Sequence, residues 1–428
     1  MEFPGGNAVP WSLFVGSIAL LWTHNAARAK NARQAPSPLS SPRPKGLELS
    51  YALATDYLAS EFKTQIASPT AVVSGSRRKE RCSLVDEGEV PVTYRKHKGT
   101  IMDYDLDPYD YSDDELCEFI VAMFYFYNIA QIFTIPEDRL RCFVRRIRES
   151  YRPPSEVIFH NFKHVFNVTH MTFHMLMCGV DQKLTAFDVF ALLVAALCHD
   201  IDHPGVNNHF MISSANSLAI LYANDSVLER HHAHKTQIML AAVEDKASAN
   251  SLSRNEWDIL VGLTKADRDS FIGTVVHAIL ATDMTHHMKK VDFFVAHSKR
   301  DVPFADCHIS TDEQRKELLR SILHATDIGA QTQATSVAVR WGNTVGREFS
   351  AQYQKELSLG MTPSLIMADL DDARKLALLQ SEFIASIILP LWAAVAVCFP
   401  KVQPRVQQIH KNLEHYLAVR NTCQHEDC

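Results

Sequence analysis

An all-α fold is predicted for this chain, and three observations predict it. Apolar residues recur at three- and four-residue intervals through most of the sequence after about residue 100. Alternation of period two, the mark of a half-buried strand, is almost absent. Glycines number only 15 in 428 residues, which is few for the turns of an all-β chain. At 46% hydrophobic and 21% charged, the chain can bury a large core. A net charge of −6 argues against a nucleic-acid surface, which needs clustered Lys and Arg. The nine cysteines are scattered, odd in number and without a Cys-x-x-Cys pair. They read as reduced thiols of a cytoplasmic protein, not as a disulfide framework.

Residues 1–99 read as an N-terminal tail. Residues 9–22 are apolar, but 14 residues fall short of the roughly 20 needed to span a bilayer. No Lys or Arg precedes them, so the basic start of a secretory signal is missing; Arg28, Lys30 and Arg33 follow. One reading is weak membrane association that leaves the body of the chain cytoplasmic; the other is a loosely packed terminus. Residues 35–45 have the Pro/Ser composition of a linker. Residues 47–62 fit a small helix, and 74–98 a polar surface loop. From 100 to 428 one all-α domain is expected. Asp113 and Asp114 open its first helix, with Leu116, Phe119, Ile120, Met123, Phe124 and Tyr127 at helical spacing. Further helices are expected over 138–150, 155–177, 207–222, 226–243, 255–264, 268–290, 311–325, 333–358 and 370–398. Between them lies an apolar run, 190–197, with Thr185 and Asp188 as a capping box.

That run ends in Leu197-Cys198-His199-Asp200-Ile201-Asp202-His203-Pro204-Gly205. A buried carboxylate must be paired, bound to metal or protonated. Asp200, Asp202 and His203 within four positions have a metal-site composition. A second apolar helical run ends in Leu323-His324-Ala325-Thr326-Asp327, where Asp327 alone would read as a cap. His160 and His164, in Phe159-His160-Asn161-Phe162-Lys163-His164, are expected one turn apart on a helix face. His170 and His174 repeat that spacing and read as packing. Together His164, His199, Asp200 and Asp327 offer two imidazoles and two carboxylates, which suits zinc or a harder divalent ion. Asp200 could bridge to a second ion, and two ions roughly 3.5–4 Å apart clamp an in-line phosphoryl displacement.

The order His-Asn-x-x-His, His-Asp-x-Asp-His-Pro-Gly and a late Asp resembles the class I 3′,5′-cyclic nucleotide phosphodiesterases, within the wider His-Asp metal-phosphohydrolase group. Further matches are Leu221-Tyr222-Ala223-Asn224-Asp225-Ser226-Val227-Leu228-Glu229 before His231-His232, and Leu280-Ala281-Thr282-Asp283-Met284. Glu348-Phe349, Gln352 and Glu356 follow, then Gln380-Ser381-Glu382-Phe383-Ile384. The likeness runs in one order over about residues 100–400.

The resemblance implies hydrolysis of a cyclic nucleotide, cAMP favoured over cGMP, to the 5′-monophosphate by a hydroxide shared between two metals, ending the nucleotide's signal. It implies His164, His199, Asp200 and Asp327 as ligands of the tighter ion, Zn²⁺, with Asp200 bridging to Mg²⁺ or Mn²⁺. His203, Glu229 and Thr282 match holders of that second ion's waters. His160 matches the general acid, oriented by Glu229. Gln380 matches the residue that bonds the purine edge, Phe383 the face on which it stacks, and Val345 the opposite jaw. Departures mark a divergent member, such as a unicellular eukaryote would carry. Phe159 stands for Tyr, Arg230 for Asn, and Ile328-Gly329-Ala330-Gln331 for a Ser-Asn-Pro type of continuation. Two rival readings are another nucleotide phosphohydrolase of the His-Asp group and a catalytically weak nucleotide-binding scaffold.

Overall fold

The computed structural model describes residues 92–241, 256–298 and 311–422. The apolar stretch 9–22, the linker 35–45, the helix expected over 47–62 and most of 74–98 lie outside the described residues. Among those described there are sixteen α-helices and no strand, as the spacing predicts. They are α1 Val92–Ile101, α2 Asp113–Phe126, α3 Ile129–Ile132, α4 Glu137–Glu149, α5 Phe162–Met175, α6 Ala186–Cys198, α7 Asn208–Ser213 and α8 Ser217–Leu221. After these come α9 Val227–Leu240, α10 Lys265–Leu280, α11 His287–Ser298, α12 Asp312–Asp327, α13 Thr335–Ser358, α14 Ala373–Phe383, α15 Leu389–Cys398 and α16 Gln403–Thr422.

Helix α6 is the axis of the fold. Every residue from Ala186 to Cys198 is buried, and a helix apolar on all faces can only be a core helix. Its start is fixed by the predicted capping box, in which the Thr185 side chain accepts from the Asp188 amide and Asp188 reaches back to Thr185. Arg315 of α12 neutralises Asp188 at 2.8 Å. Helices α5, α10 and α12 pack around α6, which brings the C-terminal ends of α6 and α12 beside the start of α5.

Several expected boundaries are corrected. Residues 92–98, expected as loop, belong to α1, which crosses the boundary set at residue 100 and packs on α2. The helix expected over 155–177 starts only at Phe162, because Asn161 caps it and the amides of Phe159 and His160 are bound by Glu348. The segment 256–264 is a series of turns. There Asp258 accepts from the Leu260 amide, and Gly262 lies so close to the Phe133 carbonyl that a Cβ would sit 2.6 Å from it. The expected 207–222 helix splits into α7 and α8 at Ala215, whose φ is +50°. The 268–290 helix breaks after Leu280, where Asp283 caps a new turn. The 370–398 helix carries a π turn at Ile384–Ile388, just before Pro390, which has no amide to give the ladder. Helix α16, for which no expectation was set, buries Val406, Ile409 and Tyr416 at helical spacing.

Removing the α6 cap tests how far that helix depends on it. Thr185→Ala should lower stability by about 1 kcal/mol, read as a lower urea midpoint with an unchanged slope. An unchanged midpoint would mean that packing alone holds α6.

Candidate metal centre and nucleotide pocket

Three helix ends build the centre. His164 sits in the first turn of α5, His199 caps the C-terminus of α6 with Asp200 after it, and Asp327 is the last residue of α12. The Nε2 atoms of His164 and His199 are 3.3 Å apart. Asp327 Oδ1 lies 3.2 Å from His164 Nε2 and 3.1 Å from His199 Nε2. Asp200 Oδ2 lies 3.4 and 3.2 Å from the same two nitrogens. One ligating atom from each of the four falls within a 4.8 Å space.

This donor set fits a divalent cation. His199 Nδ1 faces the Ala196 carbonyl at 2.9 Å, which as a donor fixes the ring and turns the Nε2 lone pair to the cluster. Both carboxylates stand at helix C-termini, the negative ends, where a carboxylate is disfavoured and a cation is favoured. Burial opposes charge on His199, but Asp200 and Asp327 outweigh it and hold the imidazole well above its usual range. Burial likewise opposes ionisation of Asp200 and Asp327, and His199 and His164 still hold both carboxyls well below theirs. A divalent cation bound by the unprotonated imidazoles would supply the positive charge that these carboxylates need.

The other oxygen of Asp200 turns away from this group. Its Oδ1 lies 3.7 Å from His232 Nε2, and Asp200, His203 and His232 form a second set of ligating atoms within 4.8 Å. His232 Nδ1 faces the Ile201 carbonyl at 2.7 Å, and its Nε2 is buried with no hydrogen-bond partner. His232 was quoted in the sequence match without a role. Its signal was only its place beside His231, after Glu229. Thr282 lines the same pocket, its hydroxyl donating to the Ile279 carbonyl at 2.8 Å.

Glu229 is not the partner of His160. It accepts from Asn208 Nδ2 at 3.1 and 2.9 Å, and burial with the Asp283 charge pushes its carboxyl up to about 8. The partner is Glu348 of α13, whose Oε1 lies 2.5 Å from His160 Nδ1 and whose Oε2 accepts from the Phe159 and His160 amides at 2.7 and 3.2 Å. Glu348 was quoted in the sequence match without this role, because it lies 188 positions away from His160. Burial lowers the His160 pKa, but Glu348 more than reverses that, with help from Asp200 and Asp327, and raises it to about 9. His160 therefore reaches the cluster from a non-helical turn, its ring 5.5 Å from that of His164 and stacked on His203 at 4.0 Å.

One pocket is lined both by these polar residues and by Gln380, Phe383, Val345 and Ala330. The Gln380 amide is buried, and its Oε1 accepts from Gln331 Nε2 at 3.2 Å. Gln331 Nε2 also donates to the Ala338 carbonyl at 3.3 Å. Because a carbonyl only accepts, this contact fixes which end of the Gln331 amide is nitrogen, and so which end of Gln380 is oxygen. All predicted site residues thus line one pocket, except His199, which lies just behind it.

Comparison with known proteins agrees with this geometry. Over 325 residues, 76% of this chain, it is 30% identical to the 3′,5′-cyclic-nucleotide phosphodiesterase regA of Dictyostelium discoideum, covering 38% of that protein. It is 31% identical to a cGMP-specific 3′,5′-cyclic phosphodiesterase of Drosophila virilis, covering 34% of it. The chain thus spans about a third of the length of these curated relatives. The crystal structure of the phosphodiesterase domain of the Salpingoeca rosetta rhodopsin phosphodiesterase superposes with a TM-score of 0.69 at 25% identity, over 79% of this chain and 97% of that one. A sequence profile described as 3′5′-cyclic nucleotide phosphodiesterase matches residues 159–409, the stretch that runs from the turn of His160 past Gln380 and Phe383, and the chain belongs to that family.

Proposed function

We propose that the protein hydrolyses a 3′,5′-cyclic nucleotide to the nucleoside 5′-monophosphate. The observation that carries this reading is a single pocket lined by His160, by three of the four clustered donors, His164, Asp200 and Asp327, and by the buried amide of Gln380 with Phe383. His164, His199, Asp200 and Asp327 would hold Zn²⁺; Asp200, with His203, Glu229 and Thr282 around it, would serve Mg²⁺ or Mn²⁺. Such ions polarise phosphate oxygens and bring the pKa of water down toward 7. His160 gives its proton from Nε2 to the departing O3′ while Glu348 keeps Nδ1 occupied and stabilises the charged ring. Gln380 bonds the purine edge, and Phe383 and Val345 close on its faces.

Within this reading cAMP is the better substrate. Guanine brings N1–H and a 2-amino group into the pocket, adenine only its 6-amino group. One lone pair of Gln380 Oε1 is already engaged by Gln331, and Val345, Phe349, Ile366 and Phe383 supply no acceptor. Unpaired donors carry a desolvation cost. The chain's setting is proposed to be cytoplasmic, in keeping with the thiols of Cys117, Cys142, Cys178 and Cys198, none of which forms a disulfide among the described residues. Weak membrane association through residues 9–22 is part of the proposal. The catalytic domain is proposed to begin at α1, after an N-terminal tail.

The full-length protein should release 5′-monophosphate from cAMP, without inorganic phosphate, when zinc and magnesium are supplied. Asp327→Ala should lose both turnover and bound zinc; retained turnover would overturn the ligand assignment, and free phosphate as product would overturn the reaction. His160→Asn should cost about 10²–10⁴-fold in kcat. Glu348→Gln should act through pH. A raised pKa keeps His160 charged below about 9 and loses that charge as pH rises through it. Without the carboxylate, burial dominates, so the alkaline limb of kcat/KM should move toward neutral pH; an unmoved limb would exclude His160 as the acid. Gln331→Leu frees the Gln380 amide and should narrow the cAMP-to-cGMP ratio of kcat/KM by about tenfold, the worth of one hydrogen bond of about 1.4 kcal/mol.

A further inference from the structure

The tripeptide Ser150-Tyr151-Arg152, between α4 and α5, grips the turn that carries Asp200 at three places. The Ser150 carbonyl accepts from the Asp202 amide at 3.1 Å. Arg152 donates to Asp202 Oδ1 from Nε at 3.1 Å and from Nη2 at 3.0 Å. The Tyr151 hydroxyl donates to the Leu197 carbonyl at 2.9 Å and accepts from the Asp200 amide at 3.3 Å.

The middle contact answers a local need. Helix α6 ends at Cys198, and the Ala196 carbonyl is taken by the His199 ring. The Asp200 amide therefore looks outside its own helix, and so does the Leu197 carbonyl. A single hydroxyl, donor and acceptor at once, satisfies both; a phenyl ring satisfies neither. Tyr151 is buried, so water does not replace it. Two residues on, Asp202 takes a φ of +60°, a strained value for a non-glycine residue, and Arg152, His231 and Lys235 hold it there.

We propose that Tyr151 is a positioning residue that aims the Asp200 carboxylate, with Oδ2 toward the His164–His199–Asp327 group and Oδ1 toward the His203–His232 group. This inference rests on the two-cation reading above. The two groups depend on Asp200 unequally. The first keeps His164, His199 and Asp327 if Asp200 turns. In the second, Asp200 is the one carboxylate among three donors, beside the imidazoles of His203 and His232. Loss of the Tyr151 hydroxyl therefore weakens the second cation and spares the first.

The test titrates Mn²⁺ into zinc-loaded, full-length protein and follows free Mn²⁺ by electron paramagnetic resonance. Tyr151→Phe should keep its zinc stoichiometry and its thermal midpoint within a few degrees of the parent, while its Kd for Mn²⁺ rises about tenfold or more, the usual cost of losing an outer support of a metal site. An unchanged Mn²⁺ affinity overturns the proposal, as does a loss of zinc in step with Mn²⁺, which would make Tyr151 a general prop of the fold. Failure of the parent protein to take Mn²⁺ beside zinc overturns the two-cation reading instead. Should the phenylalanine variant not fold, 3-fluorotyrosine at 151 keeps the ring and weakens the oxygen as an acceptor; Mn²⁺ affinity must then fall by a smaller factor, and no change overturns the proposal.

Discussion

Two carboxylates at the negative ends of two helices, Asp200 buried and Asp327 half-buried, set the terms for the rest of this structure. Largely removed from water, they keep their charge only with positive partners. His164 and His199 bring nitrogens within 3.1–3.4 Å of both. That convergence needs rigid elements, and the chain supplies them. Helix α6 is apolar on every side, so it cannot rotate without exposing core; α5 and α12 pack directly on it. The cost of assembling four ionisable groups is met by the burial of three helices. Their shared ends then form a site whose charge imbalance a divalent cation corrects.

Helix α13 is the second organising element. Within three turns it carries Gly342, Val345, Glu348, Phe349 and Gln352, which face one pocket from end to end. Glu348 binds two backbone amides with one oxygen and the His160 ring with the other, so the same carboxylate denies residues 159–160 a helix and raises the pKa of that ring. One turn on, Gln352 exchanges two hydrogen bonds with Asn207, at 2.9 and 3.0 Å, and so fixes the chain that follows the His203 turn. The spacing along the pocket between Val345, Glu348 and Gln352 is therefore set by the rise of a single helix.

What the sequence made legible is what is local. The capping box of α6 and the apolar runs that end in His199-Asp200 and in Asp327 are patterns within a few turns, and periodicity reads them. The helix expected through His160 failed for a non-local reason: its amides are bound by a residue 188–189 positions away. Glu229 was assigned to His160 for the same reason, since a carboxylate near histidines in sequence looks like their partner. In space Glu229 faces Asn208. The π turn before Pro390 leaves the apolar composition untouched, so periodicity ran straight across it. His232 was invisible because an unpaired nitrogen has no sequence signature.

The departures from the family pattern at Phe159, Ile328, Ala330 and Gln331 fall on the walls of the pocket, and no departure falls on a proposed metal donor. Phe159 lies 4.7 Å from the His164 ring and 5.6 Å from Trp341, so an apolar surface covers the metal-facing histidine where a phenol would have brought a hydroxyl. A dry cover of that kind strengthens the charges beneath it. At the other end, Ala330 leaves the wall small, and Gln331 takes up the orienting of Gln380, anchored on the Ala338 carbonyl in the first turn of α13. The donors that would carry the chemistry are fixed by helix ends deep in the core. The groups that would read the base are fixed by side chains on a different pair of elements. Substitution at 159, 330 or 331 can therefore retune affinity and purine preference while the geometry of His164, His199, Asp200 and Asp327 stays where α5, α6 and α12 put it.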